Sequence, residues 1–301
     1  MYQLDIPATA IPFPEGATLL YGIGAQKAGT TWLSALLKPS PECHFSPLKE
    51  LHYFDSMRLP GTQHVHAERV ATLQDLASQV TQEQGPMHRL KLRRIADLAM
   101  QLHMFTDTAP GYNGYLSYLL QGYTNQKVIC DITPAYCALN TLIFREMQRV
   151  APAKFVFLMR DPVDRLWSQV RMTEASRRGA PKDPAAFEAA CLDWVRTQHD
   201  THKIEKIHRA DYARTIEKLE NAVPEARQAE QILYLFYEDL FDQASVDRIC
   251  AFLGIAPVTA DPDARANPGR PSRLPEEAEL RLYDGLRTHY AFAAERFGRD
   301  A

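Results

Sequence analysis

Between a short apolar run and a helix-forming segment the chain reads Gly22-Ile23-Gly24-Ala25-Gln26-Lys27-Ala28-Gly29-Thr30-Thr31-Trp32. A glycine-containing turn from a strand end to a helix start presents free backbone N–H groups, and the helix dipole adds partial positive charge. Lys27 supplies a full charge, and Thr30 and Thr31 supply hydroxyls at the helix entry. In chemical terms this is a cradle for phosphate or sulfate. It is not the loop of the magnesium-dependent nucleotide triphosphatases, whose lysine stands immediately before the helix-start Ser/Thr. Here Lys27 precedes Gly29 instead. The dinucleotide fingerprint fails as well, because three glycines at its spacing are absent.

Two further segments carry groups suited to the same chemistry. The apolar stretch Phe155 to Met159 delivers Arg160 at a strand's carboxyl end, where open α/β sheets bind ligands, and Ser168 follows on the next helix. Lys49-Glu50-Leu51-His52-Tyr53-Phe54-Asp55 sets a base, two acids and a histidine among aromatics. Either Glu50 or His52 could take a proton from an acceptor. His52 has the better ordinary pKa for neutral pH, whereas Glu50 needs its pKa raised by burial. Leu51, Tyr53 and Phe54 could supply that apolar setting, although Lys49 would act against it. Tyr112, Tyr115 and Tyr118 could line an apolar or sugar site, or simply be core.

These segments need elements to hold them. Leu19 to Gly24, Val128 to Asp131, Lys154 to Met159 and Ile232 to Tyr237 read as strands. Thr30 to Leu37 reads as a helix, and Asp161-Pro162 opens another through about Arg178. Residues 183–219 read as largely helical. The tail places Ala278, Leu282, Leu286, Tyr290 and Phe297 near one helical face, a docking stripe. Strands alternating with helices predict an α/β fold, with a central, mainly parallel sheet flanked by helices and a P-loop-like strand–loop–helix phosphate site. One domain over residues 1–301 is expected, with residues 57–125 as a largely helical elaboration near the acceptor site.

Composition limits the partners. Of 301 residues, 46% are hydrophobic and 24% charged, with a net charge of −3, which excludes a mainly disordered chain. The near balance of 34 Lys plus Arg against 37 Asp plus Glu argues against a general nucleic-acid binder, so an anion site must be local. No apolar run approaches the roughly 18 residues of a membrane span. Met1 to Pro14 carries neither a basic start nor an apolar core, and a cytoplasmic location is the expectation. The five scattered cysteines form no CxxC pair and read as reduced thiols, and no third ligand joins His64/His66 or His199/His202, so no metal is expected. Nothing in the sequence specifies an oligomeric state.

Taken together, the motifs resemble those of the sulfotransferases that use 3′-phosphoadenosine 5′-phosphosulfate (PAPS). Lys27-Ala28-Gly29-Thr30-Thr31-Trp32-Leu33 resembles their 5′-phosphosulfate loop, and Arg160 to Ser168 their 3′-phosphate motif. Lys49 to Asp55 is similar to the Lys-Glu-x-His-Phe-Phe-Asp block of the heparan sulfate branch, and Asp131 to Tyr136 to its Thr/Ser-Pro-x-Tyr segment. Tyr237-Glu238-Asp239-Leu240 and Phe252 to Ile255 resemble the closing strand and helix. The resemblance implies transfer of a sulfuryl group from PAPS to an acceptor hydroxyl or amine, leaving 3′-phosphoadenosine 5′-phosphate (PAP). It implies that Gln26, Lys27, Ala28, Gly29, Thr30, Thr31 and Trp32 hold the donor's 5′ end and that Arg160 and Ser168 bind the 3′-phosphate. Arg270, in Asn267-Pro268-Gly269-Arg270, loosely resembles a late donor contact. By the same resemblance Lys27 is catalytic, Glu50 is the base, and Asp55 and Tyr136 lie on the acceptor side; His52 is then expected to orient the acceptor or the loop, and Tyr115 is a further candidate for the acceptor side. Ile132 stands where the heparan sulfate branch usually has lysine, which weakens the case for a glycosaminoglycan acceptor. A small-molecule, lipid or carbohydrate acceptor is expected, with no magnesium. The alternatives are a P-loop small-molecule kinase and a non-catalytic nucleotide-binding relative.

Overall fold

The computed structural model describes residues 10–298 except 57, 60, 61, 63, 83, 107–110, 208–210 and 262–271. Five strands form one sheet, β1 (Thr18–Gly24), β2 (Cys43–Phe45), β3 (Val128–Ile132), β4 (Ala153–Met159) and β5 (Ile232–Phe236). All pairings are parallel, in the order β2-β3-β1-β4-β5. The middle strands are covered on both faces: Leu19, Leu20 and Tyr21 of β1 and Phe155 to Leu158 of β4 are fully buried. That is why they read as continuous apolar runs rather than as alternating ones.

The order creates the place where a ligand can sit. From β1 the chain leaves toward the β2 side, and from β4 it leaves toward β5. The two connections part company above the carboxyl ends of adjacent strands, and a crevice opens there. Helices α1 (Thr30–Leu37), α2 (Tyr53–Ser56), α3 (His64–Val80), α4 (Pro86–His103) and α5 (Asn113–Leu119) lie in the chain between β1 and β3. Helix α6 (Thr141–Val150) joins β3 to β4, and α7 (Pro162–Ser176), α8 (Pro184–Asp200), α9 (Tyr212–Glu220) and α10 (Glu225–Gln231) join β4 to β5. Helices α11 (Gln243–Leu253) and α12 (Glu276–Phe297) follow.

One feature departs from the sequence expectation. Strand β2 is only three residues, Cys43-His44-Phe45, too short for any periodicity to announce it. The segment 183–219 is largely helical, as its sequence reads, and is divided: α8 ends near Thr201, His202 adopts a left-handed φ of 50°, and a 3-10 turn (Ile204–Lys206) precedes α9. Asp211 then caps α9 by accepting from the Arg214 N–H at 3.0 Å. The α12 stripe does dock, as its pattern predicts. Ala278, Leu282 and Leu286 pack with Leu166, Trp167 and Phe187 of α7 and α8 in a second apolar cluster beside the sheet. Phe297 meets Phe236 edge-on at 5.2 Å, and the Tyr290 hydroxyl donates to Asp161 at 2.7 Å. All five cysteines are buried and in the thiol form.

Candidate active site

The turn from Gly24 to Gly29 feeds α1, whose N-cap Gly29 is left-handed at φ 99° and supplies no side chain to close the first-turn N–H groups. Those donors face outward to whatever occupies the crevice. A Cβ on Gly29 would stand 2.9 Å from Leu240 Cδ1 and 3.1 Å from Tyr237 Cδ2, so conformation and space both demand glycine. Gly29→Ala is therefore expected to lower stability by about 1 kcal/mol or more and to weaken anion binding with it. Thermal melting with and without a nucleotide bisphosphate checks both effects.

Around this turn lies a cavity of about 280 Å³. Its walls are Gln26, Lys27, Gly29, Thr30, Thr31 and Trp32 from the turn and α1, and Glu50 and Pro134 on the β2–β3 side. Arg160, Ser168 and Met172 close the α7 side, and Tyr237 and Phe241 come from the segment after β5. Ala28 is fully buried, and its N–H turns back to the Ala25 carbonyl at 3.1 Å, so it closes the turn without facing the cavity.

Positive charge dominates the cavity. Arg160 donates to Asp164 at 3.0 Å and to the Lys27 carbonyl at 3.4 Å, and its guanidinium lies 4.5 Å over the Tyr237 ring. Its Nε is buried with no hydrogen-bond partner among the described residues. The Lys27 ammonium is pushed below its usual pKa, first by burial and then by the charges of Arg171, Arg160 and Lys49. Four cations this close to one another repel, and an anion among them would relieve that repulsion. Lys49 Nζ donates to both Thr31 Oγ1 and Glu50 Oε1 at 2.9 Å, joining the cradle to the acidic side of the cavity.

That acidic side is a chain of three groups. Asp55, fully buried, accepts from His52 Nδ1 at 2.8 Å, and His52 Nε2 stands 3.6 Å from Glu50 Oε2. Burial alone would lower the His52 pKa, but the two carboxylates raise it to about 9. At neutral pH the ring is thus an imidazolium with no lone pair to offer as a base. Burial pushes the Glu50 carboxyl up, yet contact with His52 and the charge of Lys49 outweigh it, and the net shift is downward. The apolar neighbours do not surround the carboxylate as the sequence suggested, because Leu51 and Phe54 turn fully into the core.

A profile described as the sulfotransferase family matches residues 20–260. The chain belongs to the sulfotransferase family. A sulfotransferase from Alicyclobacillus acidocaldarius has a similar fold, with a TM-score of 0.58 and 18% identity over 94% of this chain and 96% of that one. The sulfotransferase domain from the curacin biosynthetic pathway aligns with a TM-score of 0.43 and 15% identity over 93% of this chain and 99% of that one. No curated protein sequence matches. Family membership removes the kinase alternative. Among the described residues, no three His, Cys, Asp or Glu side chains are grouped to hold a metal, and no helix is long and apolar enough to cross a membrane.

Within this family member the expected site residues divide into two sets. Gln26, Lys27, Gly29, Thr30, Thr31, Trp32, Glu50, Arg160 and Ser168 share one cavity wall. Three others stand behind it. Tyr115 and Tyr136 are fully buried with their hydroxyls on Asp131 at 2.8 and 2.9 Å, and Asp55 backs His52, so none of the three offers surface to an acceptor. Arg270 lies outside the described residues. Sequence reasoning assigned no site role to Tyr237 and Phe241, which meet edge-on at 5.2 Å and, with Trp32, form an aromatic wall. The available signal was their place just after β5, at the ligand-binding end of the sheet.

Proposed function

We propose that the protein is a PAPS-dependent sulfotransferase acting on a small-molecule acceptor hydroxyl or amine. The observation that carries this reading is one cavity in which Lys27 and Arg160 line an uncapped helix start together with a carboxylate, Glu50, while Lys49 bridges Thr31 and Glu50. The residues fit the donor. A buried guanidinium Nε without a partner among the described residues, a lysine depressed by burial and by like charges, and a glycine with no room for a Cβ suit a ligand bearing several anionic groups. Lys27, Thr30, Thr31 and the first-turn N–H groups of α1 would hold the 5′-phosphosulfate, Arg160 and Ser168 the 3′-phosphate, and Trp32, Tyr237 and Phe241 the adenine. When bound, PAPS supplies a sulfuryl group on a phosphate leaving group. The chain's own residues supply positioning and charge. Lys27 would neutralise the departing phosphate oxygen, as a fixed cation does most effectively in a desolvated site. Glu50, ionised at neutral pH, would take the acceptor's proton at its carboxylate, and the His52 imidazolium, anchored by Asp55, would hold that carboxylate in place.

Calorimetry tests the donor assignment. PAP should bind far more tightly than 5′-AMP or ATP, with no need for magnesium, because a missing 3′-phosphate leaves the Arg160 guanidinium with Asp164 but without the phosphate, at a cost of roughly 2–5 kcal/mol. Arg160→Ala should abolish that preference. Equal affinity for ATP, or binding only with magnesium, would contradict the reading.

A further inference from the structure

Beneath the cavity lies a buried acid that the reaction as described does not use. Asp131, near the carboxyl end of β3, is fully buried and accepts hydrogen bonds from three hydroxyls. Thr133 Oγ1 donates to its Oδ1 at 2.7 Å, and Tyr115 and Tyr136 donate to its Oδ2 at 2.8 and 2.9 Å. Two of these hydroxyls are also acceptors. The Leu51 N–H donates to Thr133 Oγ1 at 3.0 Å, and the Tyr53 N–H donates to the Tyr136 hydroxyl at 3.2 Å. Leu51 and Tyr53 flank His52, the residue with a left-handed φ of 56°. A non-glycine residue in that region persists only where its surroundings hold it.

We infer that Asp131 is a positioning residue: through Thr133 and Tyr136 it pins the backbone on both sides of His52 and so sets the Glu50–His52–Asp55 line against the cavity. The direction of the hydrogen bonds gives the reason. Each hydroxyl has one proton. With that proton committed to the carboxylate, the oxygen keeps its lone pairs for the peptide N–H behind it, and the order N–H to O–H to carboxylate is fixed twice over. An acceptor with no donor of its own is needed at the hub, and an ionised carboxylate is such a group. An amide there would offer an N–H, turn a hydroxyl round and set its proton against a peptide N–H in a fully buried space.

Burial raises the Asp131 pKa to about 6 in spite of its three hydroxyl donors, and the nearby Asp55 adds to the rise. A buried acid held under such opposition is expected where it serves a function rather than stability.

The inference rests on the proposed function for its consequence to turnover, but not for its structural readout. The experiment is an NMR titration of His52 in protein labelled at histidine nitrogen, for wild type, Asp131→Asn, Thr133→Val and Tyr136→Phe. PAP affinity and turnover are measured alongside. Wild-type His52 should titrate near 9. In each variant the ring should slip from its carboxylates and titrate about one pH unit or more lower. Turnover should fall roughly 10²-fold from misplacement of the base, with PAP affinity held within about twofold. Thr133→Ser, which restores the hydroxyl without the methyl, should recover the wild-type titration and most of the turnover. Should Asp131→Asn fail to fold, the Thr133 and Tyr136 variants each cut one line and carry the test. Folded variants whose His52 still titrates near 9 would overturn the inference, whatever their turnover. Failure of wild type to bind PAP would instead count against the proposed function.

Discussion

Glu50→Gln is expected to lower turnover by about 10²–10⁴-fold while leaving donor affinity nearly unchanged. Glutamine keeps the length of the side chain and can still meet Lys49 and His52, but it cannot take a proton. The structure makes the competing assignment hard to sustain. His52, between Glu50 and Asp55, holds its proton to about pH 9, so it is a donor throughout the neutral range. His52→Asn should therefore act more mildly than Glu50→Gln, and asparagine also tolerates the left-handed backbone at this position. A linked pH effect follows. The His52 pKa lies above its ordinary 6.5, so its contribution to stability is complete below 6.5 and is lost as pH rises through about 9. Chemical denaturation of wild type against His52→Asn at pH 6 and pH 10 reads this directly, with the gap between them closing at high pH. A histidine variant without turnover beside an active Glu50→Gln would reverse the assignment of the base.

Lys27→Ala is expected to cost roughly 10²–10³-fold in turnover, the scale seen when one donor to a developing negative charge is removed. The apo protein should melt at or slightly above the wild-type temperature. Lys27 sits under repulsion from Arg171, Arg160 and Lys49, so removing it relieves the unliganded cavity while weakening the liganded one. Steady-state kinetics and a melting scan of the same preparation separate the two effects. Near-normal turnover would return Lys27 to the role of an ordinary loop lysine.

Much of the cavity was legible because chemistry and element boundaries coincide. The glycine turn and Arg160 at the end of β4 sit where strands become helices, apolar runs mark those transitions strongly, and Ser168 follows within α7. What stayed hidden depended on contacts across the fold. Strand β2 is too short to carry a period, yet it brings the Lys49–Asp55 segment to the cavity. Tyr115 reads equally well as an acceptor wall and as core, and the resemblance puts Tyr136 on the acceptor side. Only the three-dimensional position of Asp131 decides that their hydroxyls point inward. The downward shift of Glu50 was hidden for the same reason, since its apolar sequence neighbours face the core while charged groups face it.

The central claim is that this cavity is built for a 3′-phosphorylated, 5′-phosphosulfated nucleotide, and a crystal structure of the complex with PAP tests it most directly. The account predicts the 5′-phosphate on Lys27, Thr30, Thr31 and the first-turn N–H groups of α1. The 3′-phosphate should lie on Arg160 and Ser168, and the adenine against the aromatic wall of Trp32, Tyr237 and Phe241. PAP bound with its 3′-phosphate away from Arg160, or outside the cavity altogether, would contradict it.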